Sequence, residues 1–117
     1  MDKPITAKEI VWSLPHRIKK EKAIAEDYNA TVHLSLTGEE GGNFTVSVAN
    51  GECSVAEGLN GEAVCLVNTS DSVYADLEWG RTNPQVAVMF GKVRATNIMA
   101  LVTFVGMFRT LEKIYKN

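Results

Sequence analysis

Residues 34–58, LSLTGEEGGNFTVSVANGECSVAEG, alternate apolar and polar side chains in the way that predicts consecutive β-strands. Side chains of a strand point alternately to the two faces of a sheet, so one face here is apolar. The members of this face are Leu34, Leu36, Phe44, Val46 and Val48, and Val32, just before the stretch, continues the same alternation. Segment 38–42 is a hairpin connection, and Asn50-Gly51 favours a tight hairpin because both residues tolerate positive φ. The stretch predicts three antiparallel strands, the first beginning at Thr31 and the third covering Glu52–Glu57.

A helix with a clear start signal precedes these strands. Thr6 and Glu9 have the spacing of a capping box, in which each side chain satisfies a backbone N–H of the other. The apolar residues that follow on one helix face are Ile10, Val11 and Leu14. Pro15 predicts the end of this helix or a kink, because proline lacks the N–H donor. Residues 16–25 then predict a short basic helical turn.

Two further strands are predicted downstream. After the turn 58–61, Ala63–Val67 is apolar on both faces, which is typical of a central or covered strand. With the first three strands it predicts an antiparallel meander. Lys92–Thr96 predicts a short fifth strand, with Val93 and Ala95 facing inward.

Two short helices are predicted between the fourth and fifth strands. Ser70-Asp71 supplies a cap and a favourable negative charge at the start of the first, which ends at Gly80. Asn83 caps the second and Pro84 occupies its first position, where a proline is tolerated. Gly91 suits the end of that helix, because the residue after a helix often needs positive φ.

The last predicted helix, Asn97–Leu111, is apolar around most of its circumference. One stripe consists of Ile98, Leu101, Val102, Val105 and Phe108. The other consists of Ala100, Phe104, Met107 and Leu111. A surface helix normally carries a wide polar face. We therefore expect this helix to cover something on both sides.

The order of these elements resembles the sterol-carrier-protein family. Residues 34–58 look like the first two hairpins of that family. Residues 69–104, TSDSVYADLEWGRTNPQVAVMFGKVRATNIMALVTF, look like its second half: a capped helix, an Asn-Pro start, a short apolar helix, a Gly-Lys strand and the last helix. The resemblance covers roughly residues 10–108. The chain has Thr96-Asn97 where the family usually has Gly-Asp or Gly-Asn, so it departs from the family pattern at the start of the last helix.

The resemblance implies an α/β fold of the α+β type, formed by residues 1–117 as a single domain. It implies a five-stranded, mostly antiparallel sheet with helices on one face. It further implies an apolar tunnel between sheet and helices, which in the family takes up sterols, fatty acids or acyl-CoA. The expected function is therefore non-catalytic binding and transfer of an apolar lipid.

Candidate ligand-binding residues come from the apolar stripes of the second half. They are Leu77, Val86, Met89, Phe90, Val93, Ile98, Met99, Leu101, Val102, Val105 and Phe108. The alternative is that all of them pack a tight core, which is the commoner fate of apolar residues. The two-sided last helix and the family resemblance favour a lined cavity, and flexible methionines suit an irregular apolar ligand.

Composition and charge exclude several classes of protein. A net charge of -2 gives no broad basic footprint for nucleic acid. The first residues lack the pattern of a secretory signal, and the longest apolar run, 98–108, is about half of a membrane span. These features predict a cytoplasmic protein. Cys53 and Cys65 lack the spacing of a zinc site and are expected to be buried, reduced thiols.

No enzyme motif is present in the sequence. We find no nucleophile elbow, phosphate-binding loop or metalloprotease helix, so we expect no catalysis, metal or cofactor. A lone histidine such as His33 lacks the partner that general-base work needs. Two other roles stay open: a homodimerising or docking module, and an accessory protein that presents an apolar substrate to an enzyme. Monomer and homodimer are both left open.

The basic cluster Arg17, Lys19, Lys20 and Lys22 has two interpretations. It would allow transient contact with an anionic membrane. The commoner case is a solvated helix face, which we expect here because Glu21 lies among the lysines. Trp12 and Trp79 could gate a cavity, but large aromatic residues more often pack in a core.

Overall fold

The computed structural model describes residues 3–115, so the predicted domain limits, 1 and 117, lie outside the described residues. The described part contains one five-stranded sheet and short helices packed on it. The helices are α1 (Ala7–Arg17), α2 (Lys20–Ala25), α3 (Asp71–Glu78), α4 (Pro84–Met89), α5 (Ile98–Val105) and α6 (Leu111–Ile114). The strands are β1 (Ala30–Thr37), β2 (Gly42–Ala49), β3 (Glu52–Glu57), β4 (Cys65–Ser70) and β5 (Val93–Ala95).

The first three strands form the predicted meander. Both β1–β2 and β2–β3 are antiparallel, and Val46 lies opposite Val32 on one side and Val55 on the other. Asn50 and Gly51 both have positive φ, 56° and 77°, as the predicted hairpin requires. The predicted bounds of the third strand agree with β3.

The fourth strand differs from the prediction in position and in partner. It covers Cys65–Ser70 instead of Ala63–Val67, and it pairs in parallel with β1, so the sheet order is β3-β2-β1-β4-β5. The preceding loop crosses the back of the sheet, where the Asn60 N–H donates to Thr45 Oγ1 over 2.9 Å. The Asn60 carbonyl oxygen lies 3.0 Å from His33 Nε2. This loop explains why β4 adds beside β1 and not beside β3, and it gives His33 a structural role.

Helix α1 begins at the predicted capping box. Glu9 N–H donates to Thr6 Oγ1 over 3.2 Å, and Thr6 N–H donates to Glu9 Oε1 over 2.9 Å. The helix does not end at Pro15 but continues to Arg17. Its buried face, which includes Leu14 and Arg17, holds this last turn against the fold although Pro15 contributes no N–H.

Replacement of Thr6 by alanine tests the capping box. The variant leaves a backbone N–H of the first turn without its side-chain partner, so we expect the free energy of unfolding to fall by about 1 kcal/mol. Urea unfolding followed by circular dichroism measures this change. Thr103→Ala is the control, because the exposed Thr103 hydroxyl donates to the carbonyl of Met99 in its own helix, where alanine is the better helix former. An equal loss in both variants would contradict a role for the cap.

Helices α3 and α4 begin at their predicted caps. Val73 N–H donates to Ser70 Oγ over 3.1 Å, and Gln85 N–H donates to Asn83 Oδ1 over 2.8 Å. Positive φ at Gly80 and Gly91 lets the chain turn away after each helix. Both helices are therefore short, and they leave the sheet face between them open to contact from α5.

The last helix is much shorter than predicted. Helix α5 ends at Val105 and not at Leu111, and the chain then turns so that Met107 and Phe108 enter the core. The Met107 carbonyl accepts from Lys19 N–H over 2.7 Å, and Phe108 forms a β-bridge with Ile18. These contacts explain the break, since a continued helix would carry both residues away from α1.

The two apolar stripes of the last segment have different environments. Phe104, Met107 and Leu111, from the second stripe, are buried. Most of the first stripe is exposed, at Ile98, Val102 and Val105. The helix therefore covers the core with its inner side, and its outer side has no cover among the described residues, so the expectation that it covers something there stays a prediction.

Candidate ligand cavity

A cavity of about 210 Å³ lies between the sheet and the helices. Leu34 of β1, Val67 of β4 and Val93 of β5 form its floor, because these alternate positions point to the helix-covered face. Leu14, from the buried face of α1, closes one side. Apart from Thr69 of β4, the sheet surface of the cavity is thus aliphatic.

The helices of the second half form its roof. Leu77 of α3, Val88 of α4 and Leu101, Phe104 and Val105 of α5 all line the cavity. Val88 and Val105 are also among the exposed large apolar residues. The cavity is therefore open to solvent beside α4 and α5.

The volume decides how much of a ligand fits. An apolar cavity of about 150 Å³ is enough for benzene, whereas sites for drug-sized ligands have about 300–1,000 Å³. The cavity here, about 210 Å³, lies between these values. In this conformation it has room for a small apolar group but not for a drug-sized molecule.

One part of the wall is polar. Arg17 is 3% exposed, and its Nη2 lies 3.1 Å from Oε1 of Glu78 in a largely buried ion pair. Arg17 also donates through Nε to the Arg109 carbonyl over 3.0 Å and through Nη1 to Ser13 Oγ over 3.3 Å. Tyr74 donates its hydroxyl to Glu78 Oε2 over 2.7 Å. Each polar side chain of this cluster therefore has at least one hydrogen-bond partner.

Within this cluster the phenol of Tyr74 stays uncharged. Burial, followed by the negative charge of Glu78, raises the pKa of the Tyr74 phenol well above its ordinary value. The phenol therefore remains protonated and keeps donating to Glu78 at neutral pH. The cluster places a neutral hydroxyl beside an ion pair whose charges sum to zero.

The predicted site residues divide into two groups. Those that line the cavity are Leu77, Val93, Leu101, Val105 and Phe108. Those that lie outside it are exposed and form what we call the outer apolar set: Val86, Met89, Phe90, Ile98, Met99 and Val102. Met89, Met99 and Phe90 are 77%, 74% and 72% exposed. These three residues are therefore not packed in the core. The alternative that all the candidate residues pack a tight core would require them to be buried.

Sequence reasoning missed the polar part of the wall. Arg17 was expected on a solvated face with the lysines, but it is buried, whereas Lys19, Lys20 and Lys22 are exposed as expected. Glu78 and Tyr74 were not singled out. Their spacing, four residues apart in one helix, is the only local signal for their contact.

Other sequence candidates lie away from the cavity. Trp12 packs edge-on against Phe44 and is half-exposed, and Trp79 Nε1 donates to the Pro4 carbonyl over 3.0 Å. Neither tryptophan lines the cavity. Cys65 is buried and Cys53 half-buried, and burial raises the pKa of the Cys53 thiol to about 12. Between residues 3 and 115, no group of side chains is arranged to hold a metal ion.

The length and the apolar character of the helices decide whether any of them could cross a membrane. Within the described part of the chain, none combines the necessary length and apolar character. The apolar segment with α5 is interrupted after Val105.

The fold and the cavity define a small α+β domain with helices over an open sheet. The sequence model of the SCP-2 sterol transfer family matches residues 13–108. The chain therefore belongs to the SCP-2 sterol transfer family, and the predicted resemblance is confirmed. No curated protein sequence matches the chain.

Solved structures share the fold at low sequence identity. Sterol carrier protein 2 from Yarrowia lipolytica, in its apo form, has a TM-score of 0.61 and 20% identity, over 87% of this chain and 96% of that one. The ubiquinone synthesis protein UbiJ-SCP2 has a TM-score of 0.63 and 15% identity, over 86% of this chain and 83% of that one. The sec-alkylsulfatase Pisa1 from Pseudomonas sp. has a TM-score of 0.75 and 16% identity, over 88% of this chain. The match spans only 16% of that sulfatase.

Proposed function

We propose that this domain binds an apolar lipid and transfers it without chemical change. The observation that carries the proposal is the mostly apolar cavity between sheet and helices, which is open to solvent beside α4 and α5. Burial of apolar surface contributes about 25 cal/mol per Å², so a ligand that hides a few hundred Å² gains several kcal/mol before entropy losses. Family membership supports a lipid as the ligand.

We propose that a whole lipid enters when α4 and α5 separate. The cavity holds only one end of such a molecule at about 210 Å³. The outer apolar set lies on these two helices, except Phe90, which directly follows α4, and on separation it would cover the remainder of the ligand. In this way all the predicted ligand-binding residues contribute, with Leu101 inside the cavity and Val105 near its opening. The widened cavity corresponds to the tunnel that the family resemblance implies.

The proposal assigns no reaction to the domain. The Glu78 carboxylate is engaged by Arg17 and Tyr74. A thiol with a pKa of about 12, as for Cys53, has almost no thiolate at neutral pH and is a poor nucleophile. A carrier role in the cytoplasm is consistent with these features, and its location stays a prediction from the sequence.

A second candidate function is supported by the outer apolar set. Large exposed apolar side chains on α4 and α5 would also suit a homodimer or a docked enzyme. Related folds occur within a sulfatase and in a ubiquinone synthesis protein. In this role the domain would present an apolar substrate to its partner, and the outer apolar set would form the interface.

Native mass spectrometry of gently purified protein separates the two functions. The carrier proposal predicts a monomer with an added mass that organic solvent extracts as a lipid. An apolar interface predicts a dimer, or a complex, with no added mass. A bare monomer that also fails to take up added decanol would contradict both candidates.

A further inference from the structure

The Glu78 carboxylate has one acceptor position to spare at the cavity wall. A carboxylate offers about four lone-pair positions for hydrogen bonds. Among the described residues, three donors use them: Arg17 Nη1 at 3.4 Å, Arg17 Nη2 at 3.1 Å and Tyr74 Oη at 2.7 Å. Because Glu78 lines the cavity, a ligand inside it can supply the fourth donor.

Arg17 is less available to a ligand than Glu78. Its guanidinium has five N–H donors, of which four are directed to protein acceptors: the Arg109 carbonyl, Ser13 Oγ and the two oxygens of Glu78. A carboxylate ligand could make the two-bond contact that arginine favours only by displacing Glu78. Such displacement would leave Glu78 without its cation in a buried position.

The electrostatics of the cavity favour an uncharged ligand. Of the described residues that line it, only Arg17 and Glu78 carry charge, and their charges sum to zero. An anion entering the cavity loses its hydration and meets no net opposite charge. A neutral hydroxyl loses much less hydration and gains a hydrogen bond to a charged acceptor, which is stronger than a bond to a neutral one.

We propose that Glu78 is the specificity-determining residue of the cavity: it accepts a hydrogen bond from a neutral, hydroxyl-bearing apolar ligand, and its ion pair with Arg17 excludes carboxylate ligands. This inference rests on the proposed binding function and names the ligand class within it. The ligand's hydroxyl lies against Glu78 and Tyr74, and its apolar body extends along Leu101 and Val105 toward the opening.

The test compares decanol with decanoate, which share a chain length and differ in the head group. Isothermal titration at neutral pH measures both affinities, for the wild-type chain and for Glu78→Gln. The wild-type chain is expected to bind decanol at least about tenfold more tightly, since decanol can donate a hydrogen bond to the charged acceptor Glu78, a bond of about that order in affinity, and decanoate cannot. In Glu78→Gln the preference reverses, because Arg17 is left as an unneutralised cation facing the cavity.

The control is Asp76→Asn, in the same helix. Asp76 pairs with Arg81 over 3.0 Å, and both side chains are about half-exposed, so this variant removes the same charge from the chain away from the cavity. It is expected to keep the wild-type preference for decanol. A reversal in Asp76→Asn as large as that in Glu78→Gln would mean that overall charge sets the preference, and the inference would fall.

A second variant protects the test against misfolding of Glu78→Gln. Tyr74→Phe keeps the carboxylate and releases one more of its acceptor positions, so its preference for decanol is expected to exceed that of the wild type. A preference for decanoate in Tyr74→Phe overturns the inference. Equal binding of both probes by the wild-type chain overturns the inference but leaves the carrier function intact. Binding of neither probe overturns both.

Discussion

Replacement of Arg17 by methionine is expected to lower the free energy of unfolding by about 3–5 kcal/mol. Methionine retains an apolar stem, but it leaves Glu78 largely buried with no cation beside it. The change also removes the donor to the Arg109 carbonyl, which joins the end of α1 to the segment after α5. Urea unfolding followed by circular dichroism measures the loss, and its midpoint should fall without a change in slope.

Arg81→Met is the matched control for this prediction. Arg81 also pairs with a carboxylate of α3, but the side chains of Arg81 and Asp76 are 57% and 43% exposed. Such surface pairs contribute about 0–1 kcal/mol. The double variant Arg17→Met, Glu78→Leu should recover most of the stability, because it removes both charges together. Similar losses for Arg17→Met and Arg81→Met would contradict the importance of the buried pair.

Replacement of Leu101 by tryptophan is expected to block the cavity. Leu101 lies in the roof, and a larger side chain there takes space from the ligand. If the ligand loses about 100 Å² of apolar burial, binding becomes less favourable by about 2.5 kcal/mol, which corresponds to an affinity about 10- to 100-fold lower. Titration with decanol measures the effect.

Thr103→Trp is the control for the blocked cavity. Thr103 lies on the same helix but is exposed and does not line the cavity. Its replacement is expected to leave the affinity for decanol unchanged. If Leu101→Trp binds decanol as tightly as Thr103→Trp does, the ligand lies elsewhere, and the carrier proposal loses its site.

The first three strands could be predicted from the sequence because the residue patterns that specify them are local. Alternation over 34–58 reports which face of a strand is apolar, and Asn50-Gly51 fixes the connection between neighbours. The strand β4 could not be placed by the same reasoning. Its partner is β1, and the loop that carries the chain across the back of the sheet depends on contacts of Asn60 with distant residues.

The last helix illustrates a second limit of sequence reasoning. When a segment is apolar on all sides, its sequence shows that it has little polar surface. The sequence does not show which side of the segment the fold covers. The turn after Val105 depends on the bridge between Phe108 and Ile18, a contact between the two ends of the described chain. No periodicity within the segment records that contact.

The candidate site was predicted in its apolar part and missed in its polar part. The roof residues Leu101, Val105 and Leu77 follow from stripe positions and family resemblance. The ion pair of Arg17 and Glu78 joins residues far apart in sequence, and the basic neighbours of Arg17 made a solvated face the commoner expectation. Pairing of this kind appears only when α1 and α3 are placed side by side.

The parallel pairing of β1 with β4 also sets an order of events during synthesis. Until Cys65–Ser70 has left the ribosome, β1 has unpaired backbone groups along one side. An open edge of this kind recruits strands from other chains. The first three strands consequently keep one open edge until Cys65–Ser70 docks beside β1, and a chain truncated before that segment would keep this edge exposed.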